Sequence, residues 1–215
     1  AKWGSHGDYE IVALAPNSVQ EMFDLTIEAF NLAEIYRVPV IVLGDEIVGH
    51  MYERVVIPSK ETIKTLNRKK PQAPLEKYAP FKPDKDLVPP MAAFGQGYHF
   101  YATGLTHDEA GHPRTDSAEA QTKLVQRLCD KIRKHVDKIV KVDKVMLEDA
   151  DVAVVSYGIT SRAALSAVRK ARQEGIKVGL LRIVTVWPFP DKHVAEIAEQ
   201  VKALVVPEMN YGQLV

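Results

Sequence analysis

Cysteine occurs once in these 215 residues, as Cys129. A single thiol excludes an intrachain disulfide, and it excludes an iron–sulfur cluster or cysteine-ligated zinc built by this chain alone. Cys129 lies in LVQRLCDKI, where Leu124, Leu128 and Ile132 share its helical spacing, so a buried small hydrophobe is expected rather than a reactive thiol. Net charge is lacking too, with 28 basic against 28 acidic residues, and such a balance implies no general nucleic-acid or membrane partner. No apolar run approaches the roughly 20 residues of a membrane span, and the opening residues carry no secretory pattern; a cytoplasmic protein is expected. Also missing are GxGxxG after a strand, GxxxxGK[ST], GxSxG and CxxC. The common nucleotide, serine-hydrolase and redox readings lose their usual support.

Hydrophobic residues make up 46% of the chain, which suffices for one large core or two small ones. The most regular stretch is residues 151–187. Residues 152–155 form the short continuous apolar run of a strand covered on both faces. Thr160 or Ser161 can cap the next helix, expected over 161–173, whose Ala164, Leu165, Val168 and Ala171 fall on one side. Gly175 ends that helix, residues 177–186 return as a strand, and a helix over 191–200 leads to a third apolar run at 203–206. A mostly parallel sheet with helical crossovers follows. Near the beginning, residues 9–14 read as a buried strand and Ser18 as the cap of a helix of about 18 residues, with residues 38–43 as the next strand. Two αβα units are therefore expected.

Between them the periodicity fails. Residues 59–70 read as a short basic helix or a frayed segment, and six prolines between Pro71 and Pro90 prevent any long element there. Residues 92–105 suggest irregular β structure, and residues 117–141 a long amphipathic helix covering the C-terminal sheet. The division expected is 1–57, a bridge over 58–144, and 145–215. The first residue is not methionine and the last follows a polar turn, which reads as part of a longer polypeptide.

Four constellations carry potential chemistry, each with a blander alternative. WGSHGD, residues 3–8, could bring the His6 imidazole and Asp8 carboxylate to a ligand, or be a turn whose carboxylate satisfies backbone amides. GDEIVGH, residues 44–50, places Asp45 after a strand, where ligands of open α/β sheets gather; it could equally cap the next helix, with His50 pairing to Glu46. THDEAGH, residues 106–112, offers four potential metal ligands, His107, Asp108, Glu109 and His112, or a contact to a partner or substrate, but it is not HExxH and a polar turn is the plainer reading. SYGITS, residues 156–161, leaves free amides at a helix start, suited to a phosphate or carboxylate, or is an ordinary strand-to-helix turn. Lys60, Lys64, Arg68, Lys69 and Lys70 read as a solvated face or a patch for an acidic partner.

Taken together, WGSHGD, the residues 45–50 block, TGLTHDE and EMNYGQL resemble the alpha subunit of 2-oxoacid:ferredoxin oxidoreductases, the 2-oxoglutarate type above all, in the right order over almost the whole chain. The resemblance implies part of a thiamine-pyrimidine-binding domain at 1–57 and a transketolase C-terminal-like domain at 145–215. It implies coenzyme-A-dependent oxidative decarboxylation of a 2-oxo acid with electrons passed to ferredoxin. Thiamine diphosphate and Mg²⁺ would be shared with a beta subunit, iron–sulfur clusters would lie on partner chains that include gamma or delta subunits, and this segment alone would bind none of them tightly. The activating glutamate would lie upstream of Ala1, so no catalytic residue is assigned. His6 and Asp8 are then the candidates near the cofactor, and Asp45, His50, His107 and Asp108 the candidates for substrate or interface. No metal ligand, nucleic-acid contact or membrane contact is expected. The alternatives are a pyruvate or branched-chain enzyme of the same family, and a noncatalytic α/β assembly module.

Overall fold

The computed structural model describes residues 7–215. Two sheets organise them. In the first, β1 (Val12–Leu14) pairs parallel with β2 (Val40–Val42), joined by the crossover helix α1 (Val19–Tyr36). The regular ladder is shorter than the 9–14 run suggested, although Ile11 to Ala15 are all essentially inaccessible. α1 begins as its sequence requires: the Ser18 side chain accepts from Glu21 N at 3.1 Å, and the Glu21 carboxylate reaches back to Asn17 N at 2.9 Å.

The second sheet has the order β3-β5-β4-β7, from β3 (Val142–Val145), β4 (Val152–Tyr157), β5 (Val178–Ile183) and β7 (Ala203–Val205). β4 runs parallel to β5 with Val152 opposite Val178, and parallel to β7. Strand alternation builds the three layers. Val178 and Leu180 pack with Ala164 and Val168 of α5 (Thr160–Gln173), while Leu181 and Ile183 pack with Ile197 of α6 (Asp191–Gln200) on the other face. Gly175, at φ +84°, closes α5 with Ile176 N bonded to Ala171 O and Gly175 N to Arg172 O, the paired bonds that satisfy the last carbonyls of a helix.

Three departures from the sequence reading bind the sheets together. The apolar run 177–186 is not one strand: after β5 the chain leaves the second sheet, and β6 (Thr185–Trp187) joins the first, antiparallel to β1. Ala15 N donates to Val184 O at 2.8 Å across that handover. The long helix of 117–141 is two, α3 (Ala118–Arg133) and α4 (Val136–Ile139), followed by β3, which pairs antiparallel with β5. Its apolar face covers the other sheet from the one expected, since Ile132 and Ile139 are buried with Val12, Leu14, Leu25 and Leu32.

The bridge is irregular. A short α2 (Glu46–His50) precedes it, and one 3₁₀ turn at Leu75–Lys77 interrupts it. No strand ladder forms at 92–105 and no helix at 59–70. The basic run is not simply solvated either: Arg68 is held by Glu34, and Lys69 by Asp84 at 2.9 Å and Asp86 at 2.8 Å. Cys129 is buried, and burial pushes its thiol pKa up, away from reactivity.

Candidate functional site

The carboxyl ends of parallel strands are where open α/β sheets place ligands. Here the ends of both sheets meet: β1 and β2 deliver residues 15–18 and 43–45 to one side of a seam, and β4 delivers Tyr157 and Gly158 to the other. The seam is polar and closed by paired groups. Asp45 Oδ2 accepts from Ile159 N at 2.7 Å, so a carboxylate of the first unit caps the helix α5 of the second. Gly158 makes this approach possible. It stands at φ +55°, and a Cβ there would lie 2.5 Å from Asp45 Oδ2. Neither Thr160 nor Ser161 caps the helix through its side chain; Ser161 instead donates to Gly158 O and accepts from Asn17 Nδ2 at 3.1 Å.

Further charges line the same seam. Arg162 donates to Glu53 at 2.6 Å, and the other Glu53 oxygen accepts from Val19 N at 3.0 Å. The Arg162 guanidinium and this amide bond hold the Glu53 carboxyl below its ordinary range. Arg182, side chain 7% exposed, crosses from β5 to Glu21 and to Asp143, the latter at 2.8 Å. Away from the seam, before the start of β1, buried Glu10 accepts from Arg133 of α3 and from Trp187 Nε1 at 2.7 Å. Sequence reasoning missed these residues, yet a signal was there: an arginine inside VGLLRIV and a glutamate at the head of EIVALA are charges in apolar runs, and such charges must find partners.

The sequence candidates do not converge. His6 lies outside the described residues. Asp8 precedes β1, exposed, its carbonyl facing the Cys129 thiol at 3.8 Å, whereas Asp45 follows β2; in a parallel pair these are opposite edges. His50 is exposed and its Nδ1 contacts the Glu46 backbone oxygen at 2.9 Å, not the Glu46 carboxylate. In the 106–112 segment, Asp108 Oδ1 accepts from Ala110 N and His112 N at 2.9 and 3.0 Å, closing a polar turn, and these amide bonds lower its pKa. Among the described residues no three His, Cys, Asp or Glu side chains gather as a metal site. The anion position at the start of α5 is taken by Asp45 itself.

A second polar region lies where the 81–109 segments meet α3. Lys131, 3% exposed, donates from Nζ to Arg37 O at 2.8 Å, and burial lowers its pKa to about 7, with Arg127 and Arg37 adding repulsion. Arg127 is lowered to about 10, first by burial and then by Arg37. Neither cation was anticipated, though Lys131 sits on the stripe that Leu124, Leu128 and Ile132 define.

A family model described as "Pyruvate flavodoxin/ferredoxin oxidoreductase, thiamine diP-bdg" matches residues 3–127, and one described as "Pyruvate:ferredoxin oxidoreductase core domain II" matches residues 150–215. The chain belongs to the pyruvate flavodoxin/ferredoxin oxidoreductase family. Within this family it is 56% identical over 214 residues to the 2-oxoglutarate synthase subunit KorA of Methanothermobacter marburgensis, covering 100% of this chain and 56% of that subunit. It is 37% identical over 213 residues to the ketoisovalerate oxidoreductase subunit VorB of the same organism, covering 99% of this chain and 53% of that one. The chain thus spans about half the length of the curated relatives it matches. Its fold matches the 2-oxoglutarate:ferredoxin oxidoreductase from Magnetococcus marinus, with 2-oxoglutarate, coenzyme A and succinyl-CoA bound, at a TM-score of 0.86 and 28% identity, covering 97% of this chain and 36% of that one. Two mixed α/β sheets flanked by helices are the architecture of this family. No helix among the described residues is long and apolar enough to cross a membrane.

Proposed function

We propose that the chain is the seam-bearing part of an alpha subunit that, in a complete cytoplasmic complex, takes part in the coenzyme-A-dependent oxidative decarboxylation of 2-oxoglutarate with reduction of ferredoxin. One observation carries the choice of substrate: identity to KorA subunits is 52–56% along the whole chain in three organisms and 38% in a fourth, against 35–37% to VorB subunits. A branched-chain substrate is disfavoured by the same contrast; a pyruvate substrate and a purely structural module are left to the experiment below. Residues 1–57 and 145–215 are the two units this reading assigns, with 58–144 as the bridge between them.

Thiamine diphosphate, when bound, would supply the chemistry that breaks the bond to the 2-oxo acid's carboxylate. The described residues do not fit its diphosphate and Mg²⁺ end: they gather no metal-binding group, and the amides at the start of α5 already face Asp45. We assign that end to a beta subunit and the iron–sulfur clusters to partner chains, gamma or delta subunits among them. What this chain contributes is position. Asp45, Glu53 and Glu21 fix the angle between the sheets, so the edges that a partner covers arrive prearranged. His6 and Asp8 remain our candidates beside the cofactor, and His50, His107 and Asp108 for the substrate side or the subunit interface.

The complete complex, assembled with the full-length subunit, tests the reading. Coenzyme-A-dependent ferredoxin reduction should be faster with 2-oxoglutarate than with pyruvate or 2-oxoisovalerate at equal concentration. Preference for either of the other two acids would move the chain to the alternative substrate, and no turnover with any of them in a fully assembled, cofactor-loaded complex would leave only the assembly role.

A further inference from the structure

The seam makes no use of the basic run, which continues into the proline-rich part of the bridge. Residues 60–85 carry eight basic against three acidic side chains, in a chain whose 28 and 28 balance. This segment has almost no secondary structure of its own, yet side chains fix its backbone. Asn31, 8% exposed, donates to Lys64 O at 2.9 Å and accepts from Leu66 N at 2.8 Å, and Glu34 accepts from Arg68 N at 2.9 Å. Further on, Arg37 donates to Pro80 O at 2.6 Å and the Tyr98 hydroxyl to Ala73 O at 3.0 Å. The Tyr78 hydroxyl donates to Pro90 O at 3.1 Å and accepts from Ala92 N at 3.0 Å. Ordering an irregular segment costs backbone entropy at every residue, and these bonds offset it so that one surface is presented in one shape.

That surface holds a cavity of about 350 Å³, floored by Tyr78 with Pro71, Pro83 and Pro90 and bordered by Lys70, Lys77 and Lys82. Lys70 precedes Pro71, Lys77 ends the 3₁₀ turn and Lys82 precedes Pro83, so three separate stretches bring their cations to one place. All three are exposed, and among the described residues none forms an ion pair or a hydrogen bond through its side chain. Asp84, the one carboxylate on the rim, is taken by Lys69 at 2.9 Å, and Asp86 bonds the same ammonium at 2.8 Å. Small-molecule sites hold converging buried polar groups, and none of the buried unpartnered side-chain atoms lines this cavity. An apolar floor ringed by exposed charge is the anatomy of a protein interface.

We propose that this cavity docks an acidic loop of a partner subunit, its carboxylates against Lys70, Lys77 and Lys82 and its apolar atoms against Tyr78 and the prolines. A neutral chain that gathers cations on one fixed concave surface is complementary to a partner charged the other way. Rim charges of this kind act mainly through the rate of association and its salt dependence. The inference rests on the reading of this chain as one subunit of a complex, and not on the substrate that the complex takes.

The test uses the full-length subunit and the assembled complex. Lysine acetylation read by mass spectrometry should find Lys70, Lys77 and Lys82 reactive in the subunit alone and protected in the complex. Affinity of the subunit for its partner subunits, measured by interferometry, should fall about tenfold in Lys70→Gln/Lys77→Gln/Lys82→Gln and about a hundredfold with Glu at the same three positions, chiefly through slower association. The Gln variant should also lose most of the dependence of association on sodium chloride. Urea unfolding of the isolated subunit should be the same for both variants and the parent, since exposed unpaired lysines hold nothing in the fold. Equal reactivity in subunit and complex, protection already present in the subunit alone, or unaltered association of the Glu variant would overturn the proposal. So would intact assembly with a raised KM for ferredoxin, which would make the occupant the electron carrier. An assembled complex that protects these lysines but does not turn over 2-oxoglutarate would fail the assigned reaction and leave this interface standing.

Discussion

The seam and the polar region beside α3 treat charge in opposite ways. At the seam every charge described meets a partner of the other kind: Arg182 with Glu21 and Asp143, Arg162 with Glu53, and Asp45 with the amide end of α5. Beside α3 Arg37, Arg127 and Lys131 are grouped without a carboxylate bonded to Arg127 or Lys131, and burial lowers the pKa of all three. The contrast separates charge paired with opposite charge between two sheets from cations that meet only backbone carbonyls or one another.

The largest effect that would sharpen this contrast is the pH dependence carried by Lys131. Its native pKa of about 7 lies below the ordinary 10.5, so between those values the unfolded chain binds the extra proton and raising the pH favours the folded state. Below about pH 7 both states are protonated and the whole penalty of the buried ammonium is present, on the order of 5 kcal/mol by the size of the shift. Lys131→Met should therefore stabilise the intact subunit most near pH 6 and least near pH 10 in urea unfolding, after allowing for the lost bond to Arg37, worth about 1 kcal/mol. A pH-independent difference between the two proteins would remove the buried cation from the account.

Next in size is the seam. Glu21→Ala leaves the buried Arg182 with the half-exposed Asp143 alone and unmakes the N-terminal bond of α1, and should cost about 3 kcal/mol. Gly158→Ala should cost about 2 kcal/mol, from the left-handed backbone and from displacing Asp45, and Asp45→Ala about 1 kcal/mol, the usual worth of a cap. These two should not add: in the Asp45→Ala background Gly158→Ala should cost only about 1 kcal/mol, since only the backbone term remains. Strict additivity would mean that the carboxylate and the glycine do not share one contact.

How far the sequence foretells these regions follows from where each signal resides. The β4–α5–β5 unit was legible, with its helix ends and parallel pairing, because its apolar period, Gly175 and both covered faces are local properties. The handover after β5 was not, because residues 177–186 form one continuous apolar run, and the break at Val184 is set by Ala15 on a distant strand. β3 carries exposed Asp143 and Lys144 between partly buried valines, an edge pattern too short to fix a partner. α3 showed its apolar stripe but not which sheet that stripe would cover. Of the site, Asp45 was found for its position after a strand, and its role as a cap was one of the two readings open; that it caps a helix of the other unit depends on tertiary packing. Family motifs identified what helical and strand periods could not.

The smallest expected effect belongs to His50, exposed and bonded only to a backbone oxygen of its own helix. His50→Ala should change stability by less than about 0.5 kcal/mol, and turnover of the assembled complex less than His6→Ala does. A collapse of turnover for His50→Ala with His6→Ala unaltered would reverse that ranking and bring the end of α2 to the reacting groups.

The contrast itself is tested most directly by the sign of two matched substitutions. Urea unfolding of the intact subunit, in phosphate-free buffer near neutral pH, should show Arg182→Gln lowering the midpoint and Arg127→Gln raising it, because the first removes a partnered cation and the second an unpartnered one. If Arg127→Gln lowers the midpoint as Arg182→Gln does, Arg127 is satisfied within the folded chain and the division between paired and unpaired charge is contradicted.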